Sequence, residues 1–340
     1  MSGSDREAFS GILQTFRSLG GIADNVRYGH GPRGRGLFAI DKAQPIRVKV
    51  PRSLLFPTAS LRLVGGDLTL AAASTIGQPQ QDFFTAYQSG LSWAGGGRAE
   101  VEGFLDLLQA LPERARRCLA DDLGVAHLLA PHDEAAILER FVRARHFDFH
   151  GEAVLMPILE LSNHSRAGAD FDVGPDHVGV TGRCGDGEVL LRYSVADSWQ
   201  RFIQYGFVSE ERPAYSLPME IRLPRRRLVI GHDAAAGQPR NGYFMPRMTL
   251  EPERITLSHL LLGDRDVPHG PRSIFIAAMR QAGVDQPAIV FDKIAHINRS
   301  AFLRLQAAVE DEDGAAAAAI RRLGRLQLEA LSFAVGAREI

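Results

Sequence analysis

The sequence predicts an α+β protein, and three observations carry that reading. Apolar and polar residues alternate with period two over residues 46–50, as on a half-buried strand. Apolar residues then recur at helical spacing from about residue 61 to 145. Short extended segments return after that, before a second, mostly helical region that begins near residue 211.

Taken in order, residues 7–19 place Phe9, Ile12, Leu13, Phe16 and Leu19 on one face of a short amphipathic helix. Glycines cluster over residues 20–36. The next stretch is extended: Leu37-Phe38-Ala39-Ile40, a turn over 41–45, then Ile46, Val48 and Val50 alternating with Arg47 and Lys49, with Pro51 and Pro57 at its end. Within the helical insert, 101–111 and 133–144 are the clearest segments and 90–97 reads as a loop. Strands are expected at 153–161, 178–181 and 188–193, with a Gly- and Asp-rich turn at 182–187 and a short helix at 198–205. Pro213, Pro218 and Pro224 separate short extended pieces. From residue 257 helical signals dominate, ending in an amphipathic stretch over 299–333 that Gly314 interrupts after the acidic run 310–313. The domain layout expected is 1–60 and 145–210 as two parts of one split domain, 61–144 as the insert, and 211–340 as a helical C-terminal domain.

The 340 residues, 45% of them hydrophobic, suffice for one large core or two modest ones. With 39 Lys and Arg against 40 Asp and Glu, the formal net charge is −1, which gives no global electrostatic reason to coat nucleic acid or an anionic membrane. The run Arg225-Arg226-Arg227 reads as a solvated loop or strand edge. Two cysteines, Cys118 and Cys184, make neither a disulfide framework nor a Cys-x-x-Cys zinc motif. Residues 1–9 are polar and charged, unlike a secretory leader, and no long uninterrupted apolar run occurs. The expectation is a cytoplasmic protein without a membrane span and without a metal.

Gly29-His30-Gly31-Pro32-Arg33-Gly34 fits the pattern of a dinucleotide-binding turn. That turn requires a following helix and an acid about 20 residues on. Here Pro32 sits in the loop, a strand follows, and Leu54 and Leu55 stand where the acid belongs, so the motif is rejected. Gly34-Arg35-Gly36, leading into a strand, is either an ordinary turn or a close approach of backbone to a ligand. The apolar run from Leu155 enters Asn163-His164-Ser165, a turn cap or a site. Val189-Leu190-Leu191-Arg192-Tyr193, followed by Tyr205-Gly206-Phe207-Val208, is core or channel wall.

The order of these pieces decides among the readings. Gly34-Arg35-Gly36-Leu37-Phe38-Ala39, Val50-Pro51-Arg52-Ser53-Leu54-Leu55, Arg145-x-Phe147, Asn163-His164-Ser165, Tyr193 and Tyr205-Gly206-Phe207 follow one another as in the SET-domain methyltransferases. The chain resembles the branch typified by the Rubisco large-subunit lysine methyltransferase and the actin histidine methyltransferase. Motifs carry the resemblance over residues 20–210, and layout alone over 210–340. It implies a SET-domain β-fold with pseudoknot-like threading, split by a helical insert and followed by a helical substrate-binding domain. It implies S-adenosylmethionine as cofactor, held by backbone at Gly34, Arg35 and Gly36 and lined by Arg145, Asn163 and His164. It makes Tyr193 the catalytic tyrosine and places Tyr205 and Phe207 along the acceptor channel. The implied substrate is a protein, with lysine the first expectation for the acceptor and histidine the second. Residues Ser194-Val195-Ala196-Asp197-Ser198-Trp199-Gln200 depart from the family pattern, as do Glu160, where Asp is common, and Ser162, where an apolar residue is common. These departures bear on substrate choice, and they define the alternative: a SET-fold protein-interaction module without catalysis.

Overall fold

Helix α1 (Gly3–Ser18) forms where the apolar spacing places it, with Phe9, Ile12, Leu13 and Phe16 buried and Leu19 half-buried beyond its end. The computed structural model describes residues 3–71, 76–231 and 246–334. The chain divides into two units, residues 1–103 with 132–193, and residues 104–131 with 194–340. Helices and strands both contribute throughout, so the fold class is α+β.

In the first unit, β1 (Ile22–Asp24) precedes the hairpin of β2 (Val26–Gly31) and β3 (Gly34–Ala39). Strand β4 (Ile46–Pro51) buries Ile46, Val48 and Val50, as the alternation requires. Strand β5 (Phe56–Pro57) follows. The helical signal expected from residue 61 is then corrected by a second hairpin, β6 (Leu61–Val64) with β7 (Asp67–Leu70). Its connection is Gly65-Gly66, both at positive φ (62° and 90°), the backbone that a tight two-residue hairpin turn demands. Helix begins only at α2 (Gln78–Gly90) and resumes in α3 (Arg98–Gln109). Between them the expected loop is in part a wide helical turn, Trp93–Gly97, with Gly96 at φ 122°.

Helix α4 (Glu113–Arg117) belongs to the second unit; α5 (Glu134–Arg145) returns the chain to the first and leads into the hairpin β8 (Phe147–Phe149) and β9 (Glu152–Leu155). The strand expected over 153–161 stops at Leu155. Pro157 and Ile158, the latter at φ 68°, turn the chain into a short 3-10 segment, Leu159–Leu161. Asn163 therefore opens a strand, β10 (Asn163–Ala169), instead of closing one. Strands β11 (Asp172–Val173), β12 (His177–Gly182) and β13 (Leu190–Leu191) complete the unit. The order β1-β4-β12-β11 makes its largest sheet, and β13 lies parallel to β10 with Asn163 opposite Leu190.

The second unit resumes with α6 (Ser198–Tyr205), the short helix expected there, followed by β14 (Pro213–Tyr215), β15 (Met219–Arg222) and β16 (Arg227–Ile230). Strands β17 (Met248–Glu251), β18 (Arg254–Leu257) and β19 (Leu261–Asp264) come next, so extended structure runs past residue 257, where helix was expected. A four-stranded sheet, β15-β16-β18-β17, stands among the described residues of this region. The helices are α7 (Gly270–Gln281), α8 (Pro287–Ala307) and α9 (Ala315–Ser332), with Gly314 at φ 101° separating the last two. No helix among the described residues is long and apolar enough to cross a membrane.

Candidate functional site

The β2–β3 hairpin turns through Gly31-Pro32-Arg33-Gly34, and Gly34 adopts φ 90°, a conformation only glycine takes without strain. A strand follows the turn, as the rejection of the dinucleotide motif required. Gly36 is glycine for a different reason. A Cβ there would lie 2.8 Å from Asn163 Nδ2, so the absence of a side chain lets Asn163 reach the strand. Asn163 Nδ2 donates to the Arg35 carbonyl at 2.9 Å and to Glu188 Oε1 at 2.8 Å. The other oxygen of Glu188, a buried residue, accepts from Arg33 Nη1 at 2.8 Å. Glu188 was not singled out in the sequence, yet it ties the hairpin turn to the Asn-His pair. Arg33 and Glu188 also line a cavity of about 300 Å³ with Ser165, Gly168, Cys184 and Leu190, whereas Arg35, Arg145, His164 and Tyr193 do not line it.

The Arg35 side chain leaves its strand for the turn after α2. Its Nη1 donates to the carbonyls of Gly95 and of Leu91, the latter at 3.2 Å. Its Nη2 and Nε donate to Glu100 Oε1 at 2.7 and 3.1 Å. Arg145, at the end of α5, donates from Nη2 to the second oxygen of the same carboxylate, at 2.8 Å, and its guanidinium lies 4.4 Å from the centre of the Phe141 ring. Burial alone would lower the pKa of Arg35, but Glu100 holds it above the ordinary value. The glycines of residues 95–97 make room for these groups. A Cβ at Gly96 would come 2.9 Å from the Arg35 guanidinium, and one at Gly97 would come 3.3 Å from Arg145 Nη2.

Below the arginines, Glu160 Oε1 accepts from Ser92 Oγ at 2.6 Å and from Tyr87 Oη at 3.0 Å, while Oε2 is buried without a hydrogen bond in the protein. Burial raises the pKa of Glu160, against the lowering pull of Arg145, Ser92, Tyr87 and Arg35. Burial and the Glu160 charge together push the Tyr87 hydroxyl well above its usual value. Ser162 Oγ is likewise buried without a hydrogen bond in the protein, and the Ser162 carbonyl accepts the hydroxyl proton of Tyr193. The His164 and Tyr193 rings stand 5.3 Å apart, and the Tyr193 backbone N–H points at His164 Nδ1 at 3.4 Å.

Seven of the nine residues singled out from the sequence therefore lie in the first unit: Gly34, Arg35, Gly36, Arg145, Asn163, His164 and Tyr193. Six of them fall into three contacts, Gly36 with Asn163, Arg35 with Arg145 through Glu100, and His164 with Tyr193, while Gly34 shapes the hairpin turn. Tyr205 and Phe207 belong to the second unit, with ring centres 6.0 Å apart and Phe207 36% exposed. The buried Arg201 guanidinium lies 5.2 Å from the Tyr205 ring centre, and burial raises the Tyr205 pKa against the opposing charge of Arg201.

The departure at residues 194–200 has a structural account in this unit. Asp197 caps α6, accepting from Gln200 N at 2.7 Å, and Gln200 Oε1 accepts from Asp197 N in return. Trp199 is buried against Phe302 of α8, which makes it part of the core. The Ser194 carbonyl accepts from Arg201 Nη2 at 2.7 Å.

No family model and no curated protein sequence matches the chain. Among solved structures, the chain is similar to a crystal structure of the SET domain of LSMT bound to lysine and AdoHcy, at 15% identity and a TM-score of 0.41, over 98% of this chain and 90% of that one.

Proposed function

We propose that the chain is an S-adenosylmethionine-dependent protein methyltransferase of SET type, acting on a side-chain nitrogen and on lysine before histidine. The observation that carries this reading is the Asn163 amide on the Arg35 carbonyl, 2.9 Å across a separation of 128 residues. It joins the Gly-x-Gly strand to the Asn-His pair, two of the motifs whose order carries the family resemblance. The donor set also suits the proposed cofactor. Arg35 and Arg145 offer guanidiniums to a carboxylate, and Glu160 Oε2 and Ser162 Oγ are buried polar atoms with bonding capacity to spare. Gly34, Arg35, Gly36, Arg145, Asn163 and His164 are the residues that would hold it.

Bound there, S-adenosylmethionine would supply a methyl group activated by its sulfonium. The protein's part is alignment in a dry site. Tyr193 donates its proton to the Ser162 carbonyl, and its phenolic oxygen would orient an acceptor amine and receive a CH···O contact. A lysine ammonium, with a pKa of about 10.4 in water, must lose a proton first. Desolvation lowers that pKa. In this reading Tyr205 and Phe207 shape the acceptor channel, a role that rests on the motif alone.

The alternative, a SET-fold interaction module without catalysis, drew on residues 194–200. The capping of α6 by Asp197 gives Asp197 and Gln200 a structural role. Calorimetry with S-adenosylhomocysteine tests the reading: a dissociation constant in the micromolar range is expected, about −8 kcal/mol. Absence of heat and of thermal shift at millimolar ligand rejects it. Mass spectrometry of a lysate treated with the protein and isotope-labelled cofactor then identifies the acceptor.

A further inference from the structure

Glu100 stands out among the charged groups of the first unit because one carboxylate serves two guanidiniums. Arg35 reaches its Oε1 and Arg145 its Oε2, at 2.7 and 2.8 Å. Neither arginine depends on Glu100 for its place. Arg35 is also bonded to the carbonyls of Leu91 and Gly95, and Arg145 rests on the Phe141 ring at 4.4 Å. Gly96 and Gly97 close around the same two groups, leaving no space for side chains. The exposures differ in the same sense: the arginine side chains are 17% exposed and the Glu100 side chain 54%. Two fixed cations thus share one anion that hangs from the solvent side of α3, and an exposed ion pair of this kind is worth little.

We propose that Glu100 is a built-in stand-in for the carboxylate of an amino-acid ligand, which displaces it and takes its place between Arg35 and Arg145. Resting on the function proposed above, this makes the ligand carboxylate that of the cofactor's amino-acid moiety. It assigns the Arg35 side chain, and not only its backbone, to binding. A carboxylate between two guanidiniums gains charge-assisted hydrogen bonds from both, and the gain is reduced by whatever Glu100 loses on leaving. Glu100 therefore sets the affinity by competition.

The test compares S-adenosylhomocysteine with 5′-methylthioadenosine, which keeps the nucleoside and thioether but lacks the amino acid. Calorimetry on wild type, Glu100→Gln and Glu100→Asp, with circular dichroism to verify the fold, gives the readout. Glu100→Gln should bind S-adenosylhomocysteine about tenfold more tightly than wild type, or about 1.4 kcal/mol. Glu100→Asp, one methylene too short to span both arginines, should fall between. Both should bind methylthioadenosine as wild type does. Equal or weaker binding of S-adenosylhomocysteine by the folded variants overturns the proposal and makes Glu100 a brace, while leaving the function intact if wild type binds. A parallel gain for methylthioadenosine also overturns it, because the effect would not act through the carboxylate. Failure of wild type and both variants to bind either ligand rejects the proposed function, and this inference with it.

Discussion

Tyr193 shows how much one hydroxyl is asked to do. Its proton is committed to the Ser162 carbonyl, and the same oxygen is the one proposed to meet the acceptor amine. Tyr193→Phe keeps the ring beside His164 and removes that oxygen. Methyl transfer should slow more than tenfold, which needs only about 1.4 kcal/mol of transition-state stabilisation, with the affinity for S-adenosylhomocysteine nearly unchanged. Single-turnover rates alongside calorimetry check this, and an unaltered rate would assign Tyr193 to packing. The motif residues at this scale were legible because glycine, asparagine, histidine and tyrosine are conspicuous in an ordered series. Their partners were not. Glu188 and Glu100 are glutamates in a chain with 40 acidic residues, and nothing in their immediate sequence says which arginine or amide they meet. Glu188 joins Arg33 from 155 residues away, and Glu100 joins Arg35 from 65. Only the fold brings such charges together.

Helix α6 illustrates an element held at its first turn. Asp197 Oδ1 caps it through Gln200 N, while Oδ2 accepts from Tyr215 N and from Gln327 Nε2, each at 2.8 Å. A single buried carboxylate thus joins α6, β14 and α9. Asp197→Ala should cost about 2–4 kcal/mol, the loss of a cap plus donors left without an acceptor. Urea denaturation measures it, and a loss below about 0.5 kcal/mol would mean that water replaces the carboxylate. The helix itself was legible at 198–205, because its apolar spacing agrees with its tertiary role. The hairpin β6–β7 was not, since Leu61, Leu63, Leu68 and Leu70 fit helical and strand spacing alike, and Gly65-Gly66 was the overlooked turn signal. The apolar run 155–161 misled in the opposite direction: Pro157 and Ile158 bend it out of a strand that its composition favours.

Across the whole molecule, each unit is assembled from two separated stretches of chain, and the cuts were invisible to composition because 104–131 is as helical as its neighbours. A fragment of residues 1–210 keeps 104–131 and α6 but loses α8 and α9. Trp199 then loses Phe302, and Asp122 loses the Arg304 guanidinium that it accepts from at 2.7 and 2.9 Å. The fragment should be insoluble or bind hydrophobic dyes strongly, as centrifugation and fluorescence would show. A soluble fragment with native-like near-ultraviolet dichroism would contradict the division. The same discontinuity gives the chain a timetable on the ribosome. The first unit has all its residues once Tyr193 emerges, with 104–131 left hanging as an open loop. Arg114 meets the Ala308 carbonyl only 194 residues later, and Asp122 meets Arg304 after 182. At about 5–20 residues per second, the wait is roughly 10–40 s. For that interval Leu119, fully buried in the finished protein, is a greasy side chain on an unfinished one, within reach of chaperones and of other nascent chains.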